Sequence, residues 1–524
     1  MREYLRRLAS TGAAYTASSV ISKLFAVALL PVYTRYLTRS DYGAAEVLLS
    51  AVVAFSIFFR FGIVEALLRF YYLEEEKKGD RSVSRSVGLG RDDRDRVVRT
   101  SVGFLVIAIT LGALLVAAFA GPISEALLDR RETELMLIAT GGLWVFTLYE
   151  LMMALFRLDE RARAYFAASF SNVLLTIALT VWLVVGEDEG ARGLLLGNFG
   201  ASAVILAGLF WVHRRRVALL PSPGVLRPML RFGVPTMPAE LSLYALNVID
   251  RVTLARTVGL AEAGLYALAV KFSQVVTVVV RAFNLAWPPL AYSIRDDDEA
   301  RRAYSLVVTY YLLLAFTIVL GLSLEARWIA RALAAPEFFD SYKAVPLVST
   351  GVTLYALYLV LSVAIGRTGR TYYNFPVTGA ALACNVALNV VLVPPYGIVG
   401  AGIALVVSYL LMVGLMYAVT RRVFPLGLEW GRIARIVGFA AALFAAGELL
   451  LPDSGAVGLL SRAALVPVFW ALLHLTGFFH DAELEQLRAI RSRVRELLSR
   501  SGEPPQDLEA LRSRSDLVDE VHDA

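Results

Sequence analysis

The sequence predicts an all-α integral membrane protein of about fourteen transmembrane helices, arranged as two parallel-repeat six-helix bundles plus two C-terminal helices. Three observations predict it. The 524-residue chain is 57% hydrophobic and only 18% charged, with a mean hydropathy of +0.62, which is too apolar for a water-soluble chain of this size. Apolar runs recur from Thr11 to Thr476, each about twenty residues long and so able to cross about 30 Å of hydrocarbon at 1.5 Å per residue. The first two of these runs also align with the seventh and eighth.

The opening MREYLRRLAS is basic, like the first part of a signal peptide. The apolar stretch behind it continues to Leu37 without a small-residue cleavage site, so it reads as a retained first span. The predicted spans are 11–37, 43–68, 100–120, 135–157, 163–185, 193–212, 232–257, 263–294, 303–324, 343–365, 373–393, 398–420, 432–451 and 456–476. The arginines fix the orientation, because Lys and Arg in short loops stay on the cytoplasmic side. Arg2, Arg6 and Arg7, the loop from Arg81 to Arg99, the turn RLDERAR, the junction HRRR, the turn GRTGR and the pair Arg421 and Arg422 all fall on one side. The other side carries short or acidic connections, GEDEG and PDSG among them, with Arg130 and Arg131 as the exception. Both termini are therefore expected in the cytoplasm, with the chain in the cytoplasmic (inner) membrane. Beyond Phe478, Leu484, Leu487, Ile490, Val494 and Leu497 recur at helical spacing among many charges before GEPP breaks the pattern, as in a solvated or interfacial helix.

An offset of 221 residues pairs Leu5 with Leu226, Arg6 with Arg227, Gly12 with Gly233, Arg35 with Arg256, Gly43 with Gly264 and Arg60 with Arg281. A second match joins Gly190 and Gly193 to Gly397 and Gly400. Both halves start on the same side, so the repeat is parallel about an axis along the membrane normal, and two such bundles enclose a cleft that rocking opens to either face. The expected division is 1–212 for the first bundle, 213–231 for a cytoplasmic linker, 232–422 for the second bundle, 423–477 for an accessory helix pair and 478–524 for a charged tail.

A charge near the bilayer centre costs about 2.5–3.5 kcal/mol on insertion scales, so several of them imply a polar lumen or mutual pairing. Gly12, Thr16, Ser19 and Lys23 share a face of the first span, Glu240, Tyr244, Asn247 and Arg251 one of the seventh, and Lys271, Gln274, Arg281 and Asn284 one of the eighth. With Arg60 on the second span, these make a cationic cleft suited to phosphate oxygens. Lys23, Arg60, Lys271, Arg281, Asn247 and Arg251 are the candidate substrate-binding residues, and Glu240 and Asp250 the candidate ion-coupling carboxylates. Asp250 and Arg251, being neighbours, cannot point the same way, so at least one must reach another helix. Asn385 and Asn389, one turn apart, read as interhelical hydrogen-bonding groups. Arg35, Arg69 and Arg256 lie near span ends, where snorkelling to the headgroups accounts for them.

Several classes are excluded or disfavoured. There is no GxxxxGK[ST] loop, the four histidines are dispersed, and Cys384 is the only cysteine. No catalytic residue, metal, cofactor or nucleic-acid partner is therefore expected. The short outer loops leave little room for the aqueous carboxylate cluster of a membrane glycosyltransferase or ligase.

The segments SSVISKLFAVALLPVYTRYLTRSDYGAAEVLLSAV and FGIVEALLRF, then RFGVPTMPAELSLYALNVIDRVTLARTVGLAEAGLYALAVK, then PPYGIVGAGIALVVSYL resemble the polysaccharide-biosynthesis flippases of the multidrug/oligosaccharidyl-lipid/polysaccharide (MOP) exporter superfamily. The matching positions include Pro235, Asp250, Arg251, Gly264, Tyr266, Gly397, Gly400 and Gly402. The resemblance covers nearly the whole chain. It implies a MATE-like fold and translocation of undecaprenyl-pyrophosphate-linked oligosaccharide for surface polysaccharide or O-antigen synthesis. The implied partners are that anionic lipid, membrane lipids, and a polysaccharide polymerase and glycosyltransferases. A drug/cation antiporter or a peptidoglycan-precursor flippase of the same superfamily is the alternative. Few central carboxylates in the first bundle favour an anionic lipid over a cationic drug.

Overall fold

The computed structural model describes residues 27–77, 91–217 and 220–480, and every regular element among them is helical. The first span lies mostly outside the described residues, as does the tail beyond His480. Its end is α1 (Leu30–Tyr36), which the chain leaves to enter α2 (Arg39–Phe59). Thr38 starts α2 because its side-chain oxygen accepts from the Asp41 N–H at 3.1 Å, filling one of the donors that a helix start leaves open. Phe61 and Gly62, both at positive φ, break the helix before α3 (Ile63–Lys77).

The first bundle continues with α4 (Arg91–Ala118), the short α5 (Ala120–Leu128), α6 (Thr133–Leu158), α7 (Ala162–Val181, ending in one π turn) and α8 (Gly190–Val212). An amphipathic helix, α9 (Pro223–Gly233), then crosses the arginine-rich face and packs on α3 and α4. The seventh span is broken into α10 (Met237–Ala245) and α11 (Ile249–Thr257) around Leu246–Val248. Next come α12 (Leu260–Ser293), α13 (Asp297–Leu333), α14 (Val345–Arg367) and α15 (Asn374–Val423). The accessory pair is α16 (Trp430–Leu450) with α17 (Gly455–Ala463) and α18 (Leu465–Leu475), both packed on α13.

Eleven of these helical stretches are long and apolar enough to span a membrane. The difference from about fourteen has three local causes. Residues 1–26 are not described, and the seventh span is two nine-residue helices. In addition, α15 holds two spans that reverse at Gly397, whose φ is +52°. A Cβ on Gly400 would stand 2.1 Å from the Leu392 carbonyl oxygen, although eight residues of continuous helix would separate the two by about 12 Å. The chain therefore doubles back at this point.

The internal repeat is visible where the halves touch. A Cβ on Gly43 of α2 would lie 1.9 Å from the carbonyl oxygen of Leu260, and one on Gly264 of α12 would lie 2.3 Å from that of Arg39. Arg39 and Leu260 are themselves repeat mates, as are the two glycines. Each half thus offers the same backbone patch to the other, the isologous contact expected where a pseudo-two-fold axis passes. On the arginine-rich face, Gly62 and Gly233 approach as closely, each placing a backbone oxygen where the other's Cβ would be.

Candidate functional site

The seam between the bundles, where the expected cleft closes, is formed by α2 on one side and by α10, α11 and α12 on the other. The polar face of the seventh span meets α2 along its length. Glu240 forms an ion pair with Arg60, the Tyr244 hydroxyl donates to the Ser50 carbonyl at 3.1 Å, and Arg251 donates to the Ser50 hydroxyl at 2.7 Å. Asn247, exposed although it lies inside a span, accepts from the Tyr409 hydroxyl at 3.0 Å and donates to the Leu243 carbonyl at 2.8 Å. Both polar atoms of this exposed amide are thereby satisfied within the protein. On α12, Lys271 lies 2.9 Å from the buried Glu46 carboxylate of α2.

Two of the predicted cations are thus neutralised across the cleft, Arg60 by Glu240 and Lys271 by Glu46. Arg251 hydrogen-bonds to a neutral hydroxyl and lies within electrostatic range of Glu46, and its Nε, like that of Arg60, is buried with no acceptor. Its neighbour Asp250 points the opposite way, into the second bundle. There it is 1% exposed and accepts from the Tyr266 hydroxyl and from Asn389 Nδ2, each at 2.8 Å. Asn389 also donates to Asn385, Asn385 lies within hydrogen-bonding reach of Asp250 as well, and Asn389 Oδ1 is buried without a partner. Lys23 falls outside the described residues, and of Arg281 only the backbone, within α12, is described. No cluster of His, Cys, Asp and Glu able to hold a metal ion occurs among the described residues.

The sequence places Glu46 with Ser50 and Arg60 on the second span and reads it, with Glu240, Asp250 and Glu150, as a carboxylate better suited to a structural ion pair than to ion coupling, which is the role it has here. It does not identify Lys271 as the partner of Glu46, or Tyr266 and Asn389 as the partners of Asp250. A second feature had no polar signal at all. An apolar groove of about 520 Å3 lies between α13, α14, the second half of α15 and α16, outside the repeat interface. Leu312, Leu354 and Leu357 are among the buried residues lining it, and Leu410 and Val437 are exposed at its rim.

Comparison with known proteins agrees with this architecture. The family of polysaccharide biosynthesis proteins matches residues 8–294, more than half of the chain. An uncharacterised membrane protein of Bacillus subtilis, YabM, is 23% identical over 431 residues, covering 73% of this chain and 78% of its own. The probable flippase AglR of Haloferax volcanii is 26% identical over 337 residues, 59% of this chain and 65% of that one. Among solved structures, the lipid II flippase MurJ in an inward closed conformation superposes with a TM-score of 0.69 at 12% identity, covering 88% of this chain and 97% of that one. The chain therefore belongs to the polysaccharide biosynthesis protein family, and its fold is that of the lipid II flippase MurJ.

Proposed function

We propose that the protein is a flippase that carries undecaprenyl-pyrophosphate-linked oligosaccharide across the cytoplasmic membrane by alternating access, with both termini and the arginine-rich face in the cytoplasm. The observation that carries this reading is the set of charge pairs that join the bundles, Arg60 with Glu240 and Lys271 with Glu46, beside an Arg251 whose hydrogen bond goes to a hydroxyl and which shares Glu46 with Lys271 at longer range. An entering pyrophosphate supplies what these cations lack when the bundles part. Guanidinium binds phosphate oxygens bidentately and keeps its charge, so the lipid can replace Glu240 as the partner of Arg60 and release the contact near the arginine-rich face. Lys271 and Arg251 then offer the next partners towards the other face. Lys23 and Arg281 complete the path, and Asn247 offers an amide to the sugar.

In this reading Gly43 with Gly264 and Gly62 with Gly233 are the contacts that close the two ends. The lipid enters the cleft from the inner leaflet, with its tail left in the bilayer. Asp250 is the coupling carboxylate, because it is buried within the second bundle among the polar side chains of Tyr266, Asn385 and Asn389 and does not face the substrate. We take 1–212 and 232–422 as the moving bodies, 213–231 as their cytoplasmic linker, 423–477 as the accessory pair and 478–524 as the tail.

The test is translocation of a fluorescent undecaprenyl-pyrophosphate oligosaccharide in proteoliposomes, comparing wild type with Arg251→Gln and with Lys23→Gln plus Arg281→Gln. Loss of flipping in variants that remain folded supports the cationic path. Unchanged flipping in both contradicts it.

A further inference from the structure

We propose that the groove beside α16 binds an anionic phospholipid from the leaflet at the arginine-rich face, with one acyl chain in the groove and the phosphate held by Arg301 and Arg302 at its mouth. The mouth is a polar cavity of about 530 Å3 lined by Asp298, Arg301, Arg302, Ser305, Gly427 and Glu429, among others. It adjoins the apolar groove, the two meeting where the Ser305 and Thr309 hydroxyls of α13 donate to the Gly427 carbonyl and the Glu429 carboxylate. Ser305 lines the mouth and Val308, one turn further along α13, lines the groove, while Gly427 and Glu429 of the mouth flank Leu428 of the groove.

The charged side chains lining the mouth, Asp298, Arg301, Arg302 and Glu429, balance one another, and Arg421, Arg422 and Arg432 beside it make its surroundings positive. Asp298 is paired with Arg301, and Glu429 accepts from Arg432 at 3.1 and 3.2 Å and from the Thr309 hydroxyl at 2.7 Å. Both carboxylates are thus satisfied. Arg301 still has a buried Nε–H without an acceptor, and Arg302 is exposed. Arg421 and Arg422 are exposed at the end of α15, a few residues before Pro425 of the same cavity. Basic pockets of this kind at the membrane surface recognise phosphate headgroups. Trp430 lines the groove next to the mouth and stacks edge-on against Tyr417 at 5.2 Å, an aromatic pair at the level where indole rings settle in the interface.

Dimensions select the occupant. Along α13 the lining runs from Val308 to Ser323, a rise of about 22 Å. Half of the hydrocarbon core is about 15 Å, so the groove accepts a chain that starts at headgroup level and ends near or just past the midplane. That suits one phospholipid acyl chain, whereas the far longer polyprenyl tail would overrun it. The exposed Leu410 and Val437 leave the groove open sideways to the bilayer.

The full chain in nanodiscs of phosphatidylcholine, with and without phosphatidylglycerol, tests the site through the midpoint of thermal unfolding. Phosphatidylglycerol should raise the midpoint of wild type. The rise should vanish in Arg301→Gln plus Arg302→Gln, and also in Val437→Trp, which fills the groove. Arg302→Gln alone, at an exposed position, serves if the double variant fails to fold, and should lose a large part of the shift. No shift in wild type, or a shift that survives both the mouth and the groove variants, overturns the proposal. A shift produced by undecaprenyl phosphate but not by phosphatidylglycerol also overturns it and gives the groove to the lipid carrier.

Discussion

Replacing Gly43 with Ala should drive the two bundles apart at the face opposite the arginine-rich loops. The added Cβ would stand 1.9 Å from the Leu260 carbonyl oxygen, and ordinary contact begins near 3.4 Å, so α2 and α12 must separate there by about 1.5 Å. The obstacle is backbone on both sides and cannot rotate away as a side chain would. Overpacking of this size costs ~1–3 kcal/mol in the closed arrangement and little once the contact has opened. The equilibrium should therefore shift towards the open state by about 5- to 150-fold. The assay is maleimide labelling of Ser50→Cys in a Cys384→Ala background, with a reagent that does not cross the bilayer, because Ser50 is buried beside Arg251 in the closed state. Labelling of Ser50→Cys should rise sharply when Gly43→Ala is added. Unchanged labelling, with unchanged thermal stability, would refute the claim that this backbone contact closes that face.

Three further outcomes follow from the same geometry. Exchanging the charges, Arg60→Glu with Glu240→Arg, should restore the stability and transport that either single change removes. The interaction energy in a double-mutant cycle should be ~0.5–3 kcal/mol; a value near zero would mean the pair does not hold the bundles. Glu448→Gln takes the paired carboxylate from two arginines, Arg327 and the fully buried Arg462, whose remaining hydrogen bonds go to the backbone carbonyls of Leu451 and Pro452. Breaking a buried pair of this kind costs about 3–5 kcal/mol, so the unfolding midpoint should drop markedly and the α16 to α18 pair should become sensitive to protease. His213, just past the end of α8, is buried against the Phe156 ring at 4.8 Å, and that burial holds its pKa below the usual 6.5. The unfolded chain then binds the proton more readily than the folded one, so stability is flat above about pH 6.5 and falls as the pH drops below it. His213→Gln should remove that component of the acid sensitivity in denaturation curves measured from pH 7.5 to 5.

The fold was legible because membrane insertion simplifies what a sequence must encode. An apolar run of the right length has few alternatives to a spanning helix. The repeat needed only Gly43, Gly264 and their neighbours to show which spans correspond, and the structure brings those very residues into contact. The site was legible in part. Periodicity placed Glu240, Tyr244, Asn247 and Arg251 on one face, and each of them makes a contact to α2 or α15 from that face. Periodicity describes one helix at a time, however, and could not say that Arg60 would meet Glu240 or that Lys271 would meet Glu46. The charge balance of the cleft therefore differs from a count of its cations. The apolar groove was invisible for a related reason, since Leu410 and Val437 would read the same facing lipid, a neighbouring helix or a bound chain.

The most direct measurement of the central claim is translocation by the wild-type protein itself, reconstituted in proteoliposomes of known orientation. A fluorescent undecaprenyl-pyrophosphate oligosaccharide is supplied on the side of the arginine-rich face, and its arrival in the other leaflet is followed by dithionite quenching. Protein-dependent transfer of the sugar-bearing lipid, with no movement of a cationic drug such as ethidium, is the predicted result. Ethidium transport without transfer of any lipid-linked sugar would contradict the account and assign the cleft to drug export.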